Sequence, residues 1–540
     1  MRIGLFLSRE EGAVSEVVDV GALASNYSHL TTVKVYDNLA GASNRLDLLS
    51  EIGREELEGI VLAGPSTKYY HRDLSGKLFI DSIEEAGINT NKVGFANLKE
   101  QVAFPHKGDR EGATAKAKAL IDVAIEKVRL RHPIKTIEVA PRKSVAIIGT
   151  TAGAIVAAQR FLEQDFKVHV LAKTSEISKT QDHWEAMDLT QGYVETHPKA
   201  DFHFDCTITD VYGWCGDYTI EFEQDGNTHD INIGGIIIAV GGDRGWTARL
   251  QPLVQIDTDD DGLFRTEDPL TLPVQTTDPG KMIIPFRHAN SETLGFEIAS
   301  ADSAVLGLEA VLNKKEISHH VTVSEVDEDL CGACGSCVRT CAFRASHIDP
   351  VKQVSVIDPR RCRGCGNCVV ACPTQARDLL TNPNDYLLSA IRILGQTPRL
   401  DTVKILAILC NACGYSAADE AGYIAKKFPD LGYPASVLPL RVECGGRVNS
   451  EYTLHAFTCG FDGVVIVRCR HGHCHNIIGN RDMDGRINLF RTVIGSLGID
   501  TERLRVVDIS PKQGDVFIAE INRFVEEIKE RVGGGLKCLS

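Results

Sequence analysis

The sequence predicts a multidomain α/β protein with a short cysteine-dense segment set among its later domains. Three observations predict it. Short apolar strands alternate with helical stretches along most of the 540 residues. The stretch "AIIGTTAGAIVAAQRFL", Ala146 to Leu162, has the outline of a strand, a tight glycine turn and a helix, the entry to a dinucleotide-binding fold. Finally, 14 of the 17 cysteines fall between Cys331 and Cys474, and none precedes Cys206.

Bulk composition narrows the class. Hydrophobic content of 43% and charged content of 24% are those of soluble globular proteins. A formal charge of −15 without a Lys/Arg block argues against a nucleic-acid partner. The opening "MRIGLFLSREE" reads as a short strand, without the cationic lead or cleavage site of a signal peptide. No apolar run reaches the ~20 residues of a membrane span. The expectation is a cytoplasmic chain whose cysteines bind metal rather than pair as disulfides.

Taken in order, residues 1–140 form a small α/β layer with strands at "RIGLFL", "ELEGIVLAG" and "KVGFANL", closed by the helix "ATAKAKALIDVAIEKVRL". Residues 141–320 form a second α/β unit, from "SVAIIG" through the buried strand in "GGIIIAVGG" to the helix "EIASADSAVLGLEAVL". Residues 321–378 are the cysteine-dense insert. A linker, 379–400, contains the helix "DYLLSAIRIL" and leads to a last α/β domain at 401–533. Residues 534–540 read as a flexible tail.

The insert carries C-x2-C-x2-C-x3-C twice: Cys331, Cys334, Cys337 and Cys341, then Cys362, Cys365, Cys368 and Cys372 followed by Pro373. A cubane needs four converging thiolates. The x2 spacing curls three around one face, and in two-cluster ferredoxins the fourth cysteine of each run serves the other cluster. The spacing therefore predicts two [4Fe–4S] centres, one on Cys331, Cys334, Cys337 and Cys372, the other on Cys362, Cys365, Cys368 and Cys341. Structural zinc is the alternative, but zinc sites usually pair CxxC units across a longer gap.

The last domain adds Cys410, Cys413, Cys444, Cys469 and Cys474 in loops at the ends of "VKILAIL", "DGVVIVR" and similar strands. Four thiolates suffice for one [2Fe–2S] cluster, so at least one of the five is spare or a neighbour of the cluster; zinc again competes. A Rieske-type site is disfavoured because a second, distant C-x2-H is missing. His471, His473 and His475 are therefore read as cluster neighbours or surface residues. Cys459 reads as a small hydrophobe, and Cys206 and Cys215, nine residues apart, form no redox C-x-x-C. His183, His203 and His347 read as ordinary polar residues, and "DTDDDG" (Asp257 to Gly262) as an acidic turn.

These motifs carry a resemblance. The stretches "RIGLFL", "ANLKEQVAFPHKGDREGATAKAKALI", "IIIAVGG", "EVDEDLCGACGSCVRTC" and "CRGCGNCVVACPTQA" resemble the A subunit of heterodisulfide reductase. "CNACGYSAAD", "CGGRV" and "CHNIIGN" resemble the delta subunit of methyl-viologen-reducing hydrogenase. Fused in this order, the pieces are similar to the B-subunit family of quinone-interacting membrane-bound oxidoreductases of sulfate reducers; such fusions also occur in other heterodisulfide-reductase-like assemblies. The resemblance implies a Rossmann-like FAD-type domain at 141–320 and a place in a multisubunit complex. Its partners would be a flavin-containing relative of heterodisulfide reductase A, a soluble redox enzyme and a membrane quinone-linked subunit.

Two departures qualify what it implies. Where the family's N-terminal domain holds its own cluster, this chain has Ser8, Arg9 and Glu10, then Gly64, Pro65 and Ser66, then Val102. With no cysteine there, the domain is expected to be a scaffold. In the dinucleotide fingerprint Gly149 keeps the turn, Thr150 follows, Thr151 stands where the backbone should approach a pyrophosphate, Gly153 remains, and Ala154 takes the helix-packing position. Ala172 replaces the ribose-binding acid. Against this, Ala239, Gly241 and Gly242 preserve a second flavin-side loop, Lys173 or Arg287 offers charge to a pyrophosphate, and the helix N-terminus offers donors. An FAD site and an empty Rossmann shell both remain open. The functional expectation is an iron–sulfur electron-transfer subunit, with a flavin-based bifurcating subunit or a non-redox scaffold as alternatives.

Overall fold

The computed structural model describes residues 1–71, 79–174, 185–254, 256, 258, 261–264, 274, 276, 280–285, 294–321 and 323–533. His183, Arg287, Cys538, the tail and half of the acidic run lie outside the described residues. The chain divides into two compact units. One joins Met1–Ile134 to Thr322–Ser540; the other is Lys135–Val321.

The first unit contains two parallel four-stranded sheets with the same topology. In the N-terminal sheet the spatial order is Thr32–Tyr36, Ile3–Ser8, Gly59–Gly64, Val93–Asn97. In the C-terminal sheet it is Val437–Val442, Ile405–Cys410, Gly463–Cys469, Leu504–Ile509. Both reverse direction between the first and third strands in sequence, and in such sheets the crevice for a ligand opens at the carboxyl ends of those two strands. Ser8 and Gly64 occupy these ends in one sheet, Cys410 and Cys469 in the other.

The strands are continuous apolar runs because both faces are covered. Ile3, Leu5 and Leu7 point to one core while Phe6 points to another; Leu406 and Ile408 point to one, Ile405, Ala407 and Leu409 to another. The inner faces of the two sheets contribute to a single core. The helices Arg110–Leu130 and Asn384–Gly395 lie within that core, through Ala117, Ile121, Ala124 and Val128 on one and Leu387, Ile391 and Leu394 on the other. Asp109 starts the longer helix by accepting the Gly112 N–H at 2.8 Å. This helix is more deeply covered than its amphipathic pattern predicts. Lys116 is wholly buried, its Nζ 3.0 Å from His106 Nε2 and over the Tyr433 ring, and burial pushes its amine down to about 7.

The second unit is a five-stranded parallel sheet in the order Lys281–Ile283, Gly235–Ile238, Ser144–Ile148, Lys167–Leu171, Ala200–His203. The helices Ala152–Glu163 and Leu294–Leu312 pack on its Val145 and Ile147 face. An antiparallel meander, Thr207–Trp214, Asp217–Gln224 and Asn227–Ile233, covers Ala146 and Ile148. Among the described residues, no helix is long and apolar enough to cross a membrane.

Candidate metal centres

The insert is built twice over. Each half has a left-handed glycine, Gly335 or Gly366, leading into a one-turn helix, Ser336–Arg339 or Asn367–Val370, and then a short strand, Ser346–Ile348 or Arg377–Leu379. The strands pair antiparallel with Ser355–Ile357 and Ser324–Val326. Two cavities lie between the halves. Cys331, Cys334, Cys337 and Cys372 line the first; Cys341, Cys362, Cys365 and Cys368 line the second. Each cavity thus draws three cysteines from one run and the fourth from the other.

Serines support the sulfurs in matching positions. The Ser355 N–H donates to Cys331 Sγ at 3.3 Å, and the Ser355 hydroxyl lies 3.2 Å from Cys337 Sγ. Ser324 makes the corresponding contacts with Cys362 and Cys368. Burial pushes the thiols of Cys362, Cys365 and Cys368 up, so filling the second cavity with a metal group must release protons. Four thiols around each cavity, with N–H and O–H donors aimed at the sulfurs, fit a cubane.

In the last domain all five cysteines are buried at the carboxyl ends of the strands. Cys410 and Cys469 sulfurs are 3.8 Å apart, and those of Cys444 and Cys474 are 4.0 Å apart. Cys413, Cys469 and His475 bring their donor atoms within 4.8 Å of one another. Gly479 is required here, because a Cβ would lie 2.4 Å from Cys444 Sγ. The three histidines separate. His471 is exposed and pairs with Asp484 at 3.1 Å and Asp508 at 3.7 Å, and His473 is exposed. His475 belongs with the sulfurs, its Nδ1 3.6 Å from Cys469 Sγ. Cys459 is only partly buried, with its Sγ 3.6 Å from His455 Nε2.

Residues 405–531 match the family model of the methyl-viologen-reducing hydrogenase delta subunit. The iron–sulfur D subunit of an F420-non-reducing hydrogenase from Archaeoglobus profundus is 37% identical over 127 residues, 24% of this chain and 89% of that protein. Through its last domain the chain belongs to the hydrogenase delta-subunit family. Residues 330–376 match a 4Fe-4S dicluster domain. The A subunit of the ferredoxin:CoB-CoM heterodisulfide reductase of Methanosarcina mazei is 31% identical over 323 residues, 59% of this chain and 39% of that protein. A ferredoxin/F420H2-dependent counterpart from Methanosarcina acetivorans is 34% identical over 270 residues, 50% and 33% of the two chains. The chain is therefore a heterodisulfide-reductase-A-like sequence joined to a delta-subunit domain, and it spans between a third and two fifths of the length of these reductase relatives. The relatives are oxidoreductase subunits.

In the delta-family domain the helix Gly414–Lys427 follows Cys413 and runs directly to the N-terminal sheet. Ser8 and Gly64 do meet there: a Cβ on Gly64 would lie 2.9 Å from that of Ser8. Carboxylates and their donors occupy the place. Ser8 donates to Glu10 at 2.6 Å, and Lys99 pairs with Glu10 at 2.7 Å. Ser66 donates its backbone N–H to Glu100 at 2.8 Å and its hydroxyl to Asp419 at 2.6 Å. Asn97 and Gln101 each donate to the other Asp419 oxygen at 2.9 Å, and Tyr423 donates to Glu100 at 3.1 Å. Burial and the neighbouring Asp419 push Glu100 up to about 7. Burial also holds the Asp419 carboxyl above its usual range.

The heterodisulfide-reductase-A-like unit keeps the dinucleotide crossover. Gly149 has φ +124°, and a Cβ would lie 1.9 Å from the Ala239 carbonyl. The residues expected to contact a phosphate have the following neighbours in the structure. Thr151 turns inward as the helix cap, accepting the Ala154 N–H at 3.3 Å, and its methyl faces Gly241. The Gly153 N–H donates to the carboxylate of Glu297 at 2.9 Å, so the donors expected for a pyrophosphate are held by the chain's own acceptors. Lys173 is likewise engaged, with Asp243 at 3.1 Å. Arg287 lies outside the described residues. The fold is that of a dinucleotide site, with the Glu297 carboxylate beside the amide that would face a pyrophosphate. His203 is also less solitary than expected, its ring stacked on His169 with nitrogens 3.3 Å apart.

Proposed function

We propose that this chain is an electron-transfer subunit of a heterodisulfide-reductase-like oxidoreductase complex, with two [4Fe–4S] centres and one [2Fe–2S] centre in series. Such groups, when bound, pass single electrons. The observation that carries the reading is the position of Cys365. It lines the second cavity and also packs against the core that contains Cys410, Cys413, Cys444, Cys469 and Cys474, near enough to Cys444 to influence it.

The chain's own residues hold that junction rigid. Asn367 follows Gly366 at the second cavity, where Arg486 donates to its side-chain oxygen at 3.0 Å and to the Gly446 carbonyl at 2.8 Å. Thr340 donates to Asp482 at 3.0 Å, tying the first half of the insert to the helix Gly479–Ser496 that also carries Arg486. Arg447, fully buried, bonds Asn384 at 2.9 Å and the Asn382 carbonyl at 3.1 Å. A scaffold would not need three cysteine sets this close.

Donor and acceptor are assigned to partners. A flavin-containing relative of heterodisulfide reductase A, a soluble redox enzyme and a membrane quinone-linked subunit together fit a chain with this composition, as does a role in sulfur or sulfate energy metabolism. Protein purified anaerobically should contain about ten irons per chain, four plus four plus two. Cys365→Ala should abolish one cubane signal and slow reduction of the C-terminal centre by the remaining one, followed by rapid-freeze spectroscopy. An iron count near two, or zinc in its place, would sink the relay.

A further inference from the structure

The two halves of the insert differ at one interior position. Ser346 and Arg377 are equivalent: each follows the alanine that lies four residues after the last cysteine of its run, and each starts the strand of its half. They meet, Arg377 Nη2 donating to Ser346 Oγ at 2.9 Å. The same nitrogen donates to the hydroxyl of Ser355, which itself touches Cys337. Arg377 therefore sits where the repeat's two halves join, between the cavities.

Its surroundings are unusual for a guanidinium. The side chain is 1% exposed, and arginine stays charged at any ordinary pH. Among the described residues its side chain bonds two neutral hydroxyls, and no carboxylate pairs with it. Nε and Nη1 are buried without any hydrogen-bond partner. A buried charge and two buried donors left in this state are costly, and proteins retain them only where something compensates. Arg377 borders the first cavity. Its hydrogen-bond partner Ser346 lines the second, so the guanidinium lies one side chain away from it. The compensating groups on both sides are thus the cysteine sets.

We propose that Arg377 is a positioning residue shared by the two [4Fe–4S] centres, its single buried cation setting both reduction potentials together. The proposal rests on the cubane reading above. A cluster with four thiolates is anionic and gains negative charge on reduction; net charge and hydrogen bonds to the sulfurs are what set its potential. One cation between two clusters stabilises the reduced form of each, keeps their potentials close and so favours passage in either direction. The serine at the equivalent place in the other half is neutral and does none of this.

The test is a redox titration of the full-length anaerobic protein, read by the paramagnetic signals of the reduced cubanes. In Arg377→Gln both midpoints should fall, each by at least a tenfold change in reduced-to-oxidised ratio at fixed potential, about 59 mV for a one-electron centre. Arg377→Lys, which keeps the charge and loses the fork, should lower both by less. Two intact cubane signals with unmoved midpoints in the glutamine variant would overturn the proposal, as would a shift in one centre alone. If the glutamine variant loses its clusters, the lysine variant decides: two smaller parallel shifts support the role. Cluster loss there as well shows a purely structural side chain and overturns it. Absence of both cubane signals from the wild-type protein would instead remove the cubane reading itself.

Discussion

At the N-terminal crevice two buried carboxyls stand where the other sheet of the unit has cysteines. Glu100 shares a buried pocket with Asp419, and the charged groups around the pair are Lys99, Lys68 and Arg441. Because the folded-state value of Glu100 lies above the unfolded one, the native state holds a proton that the unfolded chain has released. Stability should fall as pH rises from about 4.5 to about 7, and then level off. Glu100→Gln should flatten that slope and stabilise the protein at pH 8 by about 1–3 kcal/mol relative to wild type. Urea unfolding of the anaerobic protein between pH 5.5 and 8 measures it; parallel curves for the two proteins would contradict the assignment. Residues of this kind are illegible in the sequence. The cysteine spacing is legible because a loop of fixed length brings its own ligands together. Arg377, Glu297 and Asp419 acquire their partners only through long-range packing, and nothing in their local sequence announces it. The repeat does hold a clue for Arg377, since aligning its halves sets an arginine against Ser346.

Among the elements, the helix Ala152–Glu163 is the one whose fold and chemistry part company. Its strand, turn and helix are legible from glycine and apolar spacing alone. Its chemistry is not, because the acceptor on the Gly153 N–H comes from a helix 144 residues further on. Wild-type protein should therefore take up flavin weakly. Glu297→Ala frees the amide and removes a repelling charge, so FAD affinity should rise at least about tenfold, and further with Thr151→Gly. Fluorescence titration with FAD tests this, and stoichiometric flavin retained by the wild-type protein through purification would refute it. The strands divide in a similar way. Runs buried on both faces, such as "RIGLFL" and "VKILAIL", declare themselves, whereas Thr32–Tyr36 and the meander at 207–233 do not. Their polar residues alternate on faces whose burial depends on what packs there.

On the scale of the whole molecule, two sheets of identical strand order share one core, and the same crevice is fitted with cysteines in one and carboxylates in the other. Periodicity within a stretch of sequence reveals strands and helices, but carries no information about which other stretch it covers. The shared core predicts that the delta-family domain of this chain depends on its neighbours. A fragment beginning at residue 401 leaves Leu406, Ile408, Leu438 and Val464 uncovered and Asp419 without Ser66, Asn97 and Gln101. It should bind a hydrophobic dye and lose its iron faster than a fragment supplied with residues 1–134. Equal iron retention by the two would count against the dependence.

The joint core also has a consequence in time. The helix Arg110–Leu130 leaves the ribosome with apolar faces whose cover, the helix Asn384–Gly395, is synthesised roughly 250 residues later. At ~5–20 residues per second that is an interval of about 12–50 s. During it the first 134 residues stand as an incomplete product, able to form their sheet but not to close it, while Lys135–Val321 completes a separate unit in between. The nascent chain must then be held against aggregation until its last third arrives. Ribosome-stalled chains ending near residue 330 should accordingly recruit chaperones and be cut by protease within the first 134 residues, and chains extended past residue 510 should be protected there.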